Sequence, residues 1–377
     1  MKSPVTKAAY RCMTVILSAV LVTASLSMTG CSLRSLIPNR DKTPEDTTIL
    51  QPEDTDRNNS RNDDSENEPP QENKPVLPSY YNPLTGLAAE VDLSLARPVA
   101  ICLGDTGHAL APYGLSEAEI VIEAPAESGK TKLTFLTSTY RGVAQLGAIG
   151  ASRPYLLSFA DYFGAVSVCA GTSDLLPQEA FVGNADAIDY AKEGLSTVFY
   201  RTEEMPDRLF TSGTRLIGAL ENYEKTGPRL PYALHPYGTM VSPGEQPATG
   251  VVIPYAEGHV TQFTYNQESK AYLCSQNAAM QASGNADAAA FTNLLLLVCE
   301  SSIHHKVTGT EFELNTTGGG TGYYVSHGSY TVITWAKDED GNLQITDQSG
   351  APLSVNRGKT YIGLVDLAES HSLLLIK

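Results

Sequence analysis

The chain has 377 residues, a formal net charge of −16 and an apolar content of 42%. Such an acidic chain lacks the cations that contact phosphates, which excludes nonspecific nucleic-acid binding. Anionic headgroups repel it as well, so any membrane attachment has to be covalent or made through a partner. The length suits two domains at roughly 100–200 residues each.

The chain opens with Lys2, Lys7 and Arg11, then an apolar run from Met13 to Met28, then Thr29-Gly30-Cys31. A basic start, a short apolar stretch and small residues at a cleavage point make a secretory signal. The run falls short of the roughly 20 residues of a comfortable membrane span. A cysteine directly after Thr29-Gly30 resembles a bacterial lipobox, although Met28 stands where leucine is commoner. Residues 1–30 are then a lipoprotein signal peptide, and Cys31 is the lipidated first mature residue. Lipid on Cys31 predicts a protein of the cell membrane, held on its extracytoplasmic face. An ordinary secreted protein or an uncleaved anchor is the alternative.

Residues 31–79 read as a disordered acidic linker. From Asp41 to Lys74 the sequence is Asp, Glu, Asn, Thr, Pro and Gln with almost no apolar residues. That composition cannot bury enough surface to offset chain entropy. A leash of this length has a relaxed span on the order of 40 Å.

Folded sequence begins at Tyr80. Residues 97–103 predict a buried strand and 131–140 an alternating one. Ser116 and Glu119 have capping-box spacing, but the segment after them turns β-like at once. Residues 153–163 predict a helix with Pro154 in its first turn, ended by Gly164, and 165–170 another apolar strand. Helices interleaved with strands give residues 80–242 an α/β-like character. A Pro/Gly hinge spans 243–247, and strands are predicted at 251–253, 260–265, 271–274, 292–299, 323–325, 331–335, 343–346 and 360–366. Many short strands make residues 248–377 a β-rich domain, a sandwich or a barrel. The expected fold class is α+β, an N-terminal α/β-like domain followed by a β-rich domain.

Cys102, Cys169, Cys274 and Cys299 sit among apolar neighbours, as buried strand cysteines do. No pair has the CxxC spacing of a zinc or redox site. An extracellular location permits one disulfide. Separate buried thiols are the alternative, and the apolar neighbours favour it.

Glu123 and Glu127 are the first candidate site residues. Two carboxylates near one cleft can divide acid and base work if their environments push their pKa values apart. With Arg153 nearby they can instead hold a polar ligand, and Lys130 and Lys132 offer a third reading, a salt-bridged turn. Ser326-His327-Gly328-Ser329 echoes the Ser-His-Gly-Cys signature of L,D-transpeptidases, but serine lacks the thiolate that this chemistry uses. His304 and His305 are adjacent on a predicted strand and point to opposite faces, so they do not make a metal pair. Residues 318–322 are glycine-rich but lack the Gly-Lys-Ser/Thr ending of a phosphate loop, which favours a flexible β-turn.

A set of motifs carries a family resemblance. It comprises Asn82-Pro83-Leu84-Thr85-Gly86-Leu87, Arg97-Pro98-Val99-Ala100, the run from Gly114 to Glu123, Glu127-Ser128-Gly129, and the run from Ala151 to Phe163. It continues with Phe199-Tyr200-Arg201, the run from Pro206 to Thr211, the run from Gly318 to Tyr324, Trp335, Pro352-Leu353 and Gly358-Lys359-Thr360. Together these resemble the YerB-like lipoproteins, bacterial envelope proteins built from a domain of unknown function. Gly150 replaces the first arginine of the family's pattern. Pro206-Asp207-Arg208 replaces its Pro-His-Asn, and Ala170-Gly171 its Gly-Gly. A pocket at those positions has lost a cation and an imidazole, which weakens any transfer of a catalytic role.

The expectation is a noncatalytic binding or scaffolding lipoprotein of the cell envelope, with no cofactor and no metal. Candidate ligand-binding residues are Glu123, Glu127, Arg153, Gly171 and Arg201. Candidate partners are the membrane through Cys31 and an envelope protein or cell-wall ligand. Two alternatives stand: a cell-wall polymer hydrolase or transferase using the Glu pair, and a solute-binding lipoprotein.

Overall fold

Ile120–Pro125 is buried at every position, which requires a partner on both edges and cover on both faces. In the computed structural model it has all four. The structure describes residues 80–104, 112–171, 186–223, 237–238, 242–277, 280, 290–306, 309–337 and 342–377. The chain divides into two units, Met1–Glu72 and Asn73–Lys377, and every described residue belongs to the second. The expected signal peptide, Cys31 and the expected linker lie outside the described residues.

The elements that position the site run in chain order as follows. Strands β1 (Val99–Cys102), β2 (Ile120–Pro125) and β3 (Thr131–Thr137) are followed by helix α1 (Pro154–Tyr162). Strands β4 (Val166–Cys169) and β5 (Ala187–Asp189) come next, then helices α2 (Tyr190–Glu193) and α3 (Gly213–Asn222). The later segment supplies β6 (Gln246–Pro247), β7 (Gly250–Ala256), β8 (His259–Asn266), β9 (Ala271–Gln276), β10 (Ala290–Phe291) and β11 (Asn293–Cys299). It continues with β12 (Ser301–Lys306), β13 (Gly309–Leu314), β14 (Gly319–Ser326) and β15 (Ser329–Lys337). It ends with β16 (Leu343–Thr346), β17 (Thr360–Asp366) and β18 (Leu374–Ile376).

One sheet of eleven strands has the order β6-β15-β14-β11-β17-β2-β3-β1-β4-β5, with β16 beside β15. The decisive strand is β17. It comes from the far end of the chain and inserts between β11 and β2, parallel to both. A second sheet of five strands, β10-β9-β8-β7-β18, is antiparallel throughout. Strands β12 and β13 form a separate hairpin.

This corrects the expected fold class. The protein is β-rich, and the first half is not an α/β-like domain. An α/β layer needs helical crossovers covering both faces of a parallel sheet. Among the described residues there are three α-helices, of nine, four and ten residues. Helix α1 covers one face of the large sheet, where Tyr155, Leu156 and Phe159 meet Ile120, Ile122, Leu295 and Ile362. The five-stranded sheet covers the other, where Val251, Ile253, Phe263 and Phe291 meet Val121, Leu294, Leu296 and Tyr361. Strands from both halves build one sheet and share both core layers.

The glycine-rich run differs from expectation too. Residues 319–322 are strand, not turn. A Cβ on Gly320 would meet the Val298 carbonyl oxygen at 2.4 Å and the Trp335 ring nitrogen at 3.0 Å. Glycine here lets two strands and the Trp335 indole pack at backbone distance. The turn lies later, at His327-Gly328, where Ser326 pairs with Ser329 across the β14–β15 hairpin.

Candidate functional site

Strand β2 alternates its side chains between the two core layers. Ile120, Ile122 and Ala124 face α1, which leaves Val121 and Glu123 facing the five-stranded sheet. The Glu123 carboxylate is therefore inside the protein, with no exposed surface. An ion there has to be hydrogen-bonded. Thr131 Oγ1 donates to Oε1 at 2.7 Å, and Tyr361 and Thr261 donate to Oε2 at 2.8 and 2.9 Å. Asn277 Nδ2 donates to both oxygens at 3.1 Å. The Tyr255 and Tyr361 hydroxyls lie 2.6 Å apart, and His259 Nε2 sits 3.9 Å from Oε1 and 3.0 Å from the Thr131 hydroxyl. Burial pushes the Glu123 pKa up from 4.5, and the hydrogen bonds and His259 only partly oppose it. The Tyr255 and Tyr361 phenols are held well above 10 by the same burial and by the neighbouring carboxylate.

Glu127 has a different environment. The chain leaves β2 through a tight turn in which Ser128 and Gly129 take left-handed backbone angles, φ 62° and 67°. The Ala126 amide closes this turn on the Lys130 carbonyl at 2.7 Å. Glu127 is then held by Arg153, the residue before α1, through both carboxylate oxygens, with Nε to Oε2 at 3.1 Å. Arg153 also donates to its neighbour's carbonyl, Ser152 O, at 2.9 Å. Burial, the largest single influence, works to raise the Glu127 pKa, but the hydrogen bond and charge of Arg153 outweigh it, and the net shift is downward.

Glu123 and Glu127 thus share a segment but no cleft. Glu127 and Arg153 are brought together. Gly171 joins them through the backbone, its carbonyl accepting from the Ser152 amide at 3.0 Å and its amide donating to Asp189 Oδ1 at 2.7 Å. Arg201 stands apart, exposed, with Nη1 on the Pro206 carbonyl at 2.7 Å and its guanidinium over the Tyr190 ring. Sequence reading missed Tyr255, His259, Thr261, Asn277 and Tyr361 around Glu123. An alternating strand at 260–265 was the one usable signal, because it put Thr261 and Phe263 on one face.

Two cavities of about 470 Å³ each lie in this region, and Glu127 lines one of them. One is lined by residues 125–129, Tyr255, Glu257, Ile303, Phe312, Asp366 and Glu369. The other lies against the start of α1, at Pro154 and Ser158, with Ser302, Glu313 and residues 315–317 opposite. Beside it His304 Nε2 contacts Glu313 at 2.5 Å and Ser302 at 3.1 Å. Both contacts use one imidazole nitrogen, so Ser302, His304 and Glu313 are not wired as a nucleophile relay, which needs both nitrogens. No three His, Cys, Asp or Glu side chains among the described residues come together to hold a metal ion.

Two family profiles match the chain, described as the N-terminal domain (residues 84–226) and the C-terminal domain (residues 251–362) of a protein of unknown function, DUF3048. The chain belongs to the DUF3048 family. Over 293 residues it is 25% identical to a Bacillus subtilis (strain 168) protein named "Putative lipoprotein YerB", an overlap of 75% of this chain and 85% of that one. The crystal structure of YerB from Bacillus subtilis matches it with a TM-score of 0.64 at 22% identity, covering 79% of this chain and 99% of that one. That likeness concerns the fold. Within the DUF3048 frame, Glu123 belongs to the N-terminal segment, whereas Tyr255, Thr261, Asn277 and Tyr361 belong to the C-terminal one. The buried carboxylate is therefore a polar joint between the two family segments.

Proposed function

We propose that this DUF3048 protein is a membrane-anchored, extracytoplasmic lipoprotein that acts as a noncatalytic binding protein of the cell envelope. The anchor is lipid on Cys31. The observation that carries the binding role is the contrast between the two glutamates. Glu123 is sealed inside the protein and occupied by Thr131, Thr261, Asn277 and Tyr361. Glu127 is neutralised by Arg153 and lines an open cavity. A wall hydrolase needs one accessible carboxyl with a raised pKa and a second as base or nucleophile. Here the raised one has no access and the accessible one is depressed. This arrangement supports recognition at the Glu127 cavity over turnover. The lipoprotein name of the YerB relative and the lipobox-like Cys31 support the anchor.

Intact mass and membrane fractionation of wild type against Cys31→Ala test the anchor. Diacylglyceryl mass on membrane-bound wild type with a released variant is the expected result, and identical fractionation without lipid overturns it. Glu127→Gln tests the role: loss of a wall-polymer cleaving activity in a folded variant overturns the noncatalytic reading.

A further inference from the structure

We infer that the groove between the 125–129 turn and the β12–β13 hairpin takes a basic peptide segment of a partner protein, an extended stretch that sets a lysine or arginine two positions from an apolar residue, on the same face. This rests on the binding-protein reading and names the ligand of its cavity.

The shape and its apolar wall come first. The cavity, of about 470 Å³, has Pro125, Tyr255, Ile303 and Phe312 among its lining residues. Ile303 and Phe312 are directly opposed across the hairpin, and Ile303 is 59% exposed. A branched aliphatic side chain held open at a groove mouth gains from being covered by another apolar group.

Charge gives the sign of the partner. Glu127, Glu257, Asp366 and Glu369 line the same cavity, and among the described residues no lysine, arginine or histidine does. Arg153 answers Glu127 from outside the lining. The remaining field is negative and selects a cation. A second copy of this chain, at −16, or an anionic lipid surface brings the wrong sign. The backbone gives the form. Strands β12 and β13 pair with each other, and among the described residues no strand pairs with the outer edge of either. An open edge beside a pocketed groove is the geometry of strand addition, in which main-chain bonds supply affinity and alternate side chains specificity.

The test uses the full-length protein, panned with a library of random short peptides displayed on phage. An enriched peptide is then synthesised and titrated by fluorescence anisotropy. The expected consensus places Lys or Arg two positions from Leu, Ile or Val, since alternate residues of an extended peptide share a face. Its affinity falls by about tenfold or more in the double variant Glu257→Gln/Glu369→Gln, and similarly in Ile303→Ser. It also weakens as salt rises, because the carboxylates are screened. These side chains are at the surface, and unchanged thermal midpoints establish that the variants fold. Failure to enrich any peptide, an acidic or uncharged consensus, or unchanged affinity in both variants each overturns the groove assignment. The broader reading fails on a different result, wall-polymer turnover that Glu127→Gln abolishes, whatever the peptides do.

Discussion

The Tyr361 hydroxyl donates to Glu123 Oε2 at 2.8 Å across 238 positions of sequence. The bond sits where β17 and β2 lie side by side, with Gly363 opposite Glu123 in the register. It ties the last strand of the large sheet to the first segment of the family fold. It also sets a carboxylate inside an aromatic layer, because Tyr361 packs edge-on against Phe263 at 4.7 Å between centroids. Thr261 and Asn277 extend the joint into the five-stranded sheet and its exit.

Removing the acceptor should therefore loosen both halves at once. Glu123→Ala strands the Thr131, Thr261, Asn277 and Tyr361 donors in a closed core and is expected to cost about 3–5 kcal/mol. Glu123→Gln keeps the volume and one oxygen acceptor, and is expected to cost about 1–2 kcal/mol at neutral pH. Urea unfolding followed by tryptophan fluorescence measures both, since the single tryptophan, Trp335, is buried in the large sheet's other core layer. Equal costs for Ala and Gln would mean that the hydrogen bonds carry no weight.

The pH dependence has a defined sign. A carboxyl whose pKa is raised in the folded protein binds its proton more tightly there than in the unfolded chain. Above 4.5 the folded state then holds more protons, and stability falls as pH rises toward the folded value. Glu119, buried and held by Asn82 and Ser138, shifts in the same direction, while Glu127 shifts in the opposite one. Comparing wild type with Glu123→Gln isolates one group. From about pH 4.5 upward, wild type should lose stability relative to the variant, narrowing the cost of the substitution. Urea midpoints from mildly acidic to mildly basic pH measure this. A cost that grows with pH would show that the carboxylate is stabilised as an ion.

The cysteines give a third expectation. Cys102, Cys169 and Cys299 are buried free thiols, and Cys274 is partly exposed. Cys102 and Cys169 pack with Leu157 of α1. Burial pushes all three buried thiols up, Cys299 to about 12, so almost no thiolate forms at neutral pH. Among these four, iodoacetamide should modify Cys274 first in the native protein and the other three only after denaturation, as read by peptide mass mapping. Native labelling of Cys169 at the rate of Cys274 would contradict the packing.

Much of this fold was legible one element at a time. Pro154 at the first turn placed α1, and β16 and β17 lie where their apolar patterns put them. What was not legible is the partnership of β17. A parallel pair between segments this far apart leaves no local signal, and its absence made the first half look like a separate α/β-like layer. The same gap hid the site. Glu123 ends a run, Glu119-Ile120-Val121-Ile122-Glu123, that reads as a strand leading to a surface carboxylate. Once β17 covers its edge and β7 and β8 cover its face, the position is interior. Glu127, only four residues later, escapes because the Ser128-Gly129 turn carries it out beside Arg153.

That ion pair yields an asymmetric prediction. The Glu127 side chain is 33% exposed and the Arg153 side chain 10% exposed. Removing the arginine leaves a carboxylate that water can reach, whereas removing the glutamate leaves a guanidinium largely out of water. A partly exposed pair contributes little by itself, so the costs are set by what each deletion strands. Arg153→Met, which keeps the aliphatic stem, is expected to cost about 1 kcal/mol or less. Glu127→Ala is expected to cost about 2 kcal/mol, because Arg153 keeps only the Ser152 carbonyl among these partners. The double variant should cost less than the sum of the two, since it strands neither charge. Urea unfolding of the four proteins in one buffer gives the coupling. Additive costs would mean that Arg153 and Glu127 do not depend on each other, and the hold of Arg153 on the 125–129 turn would then carry no weight.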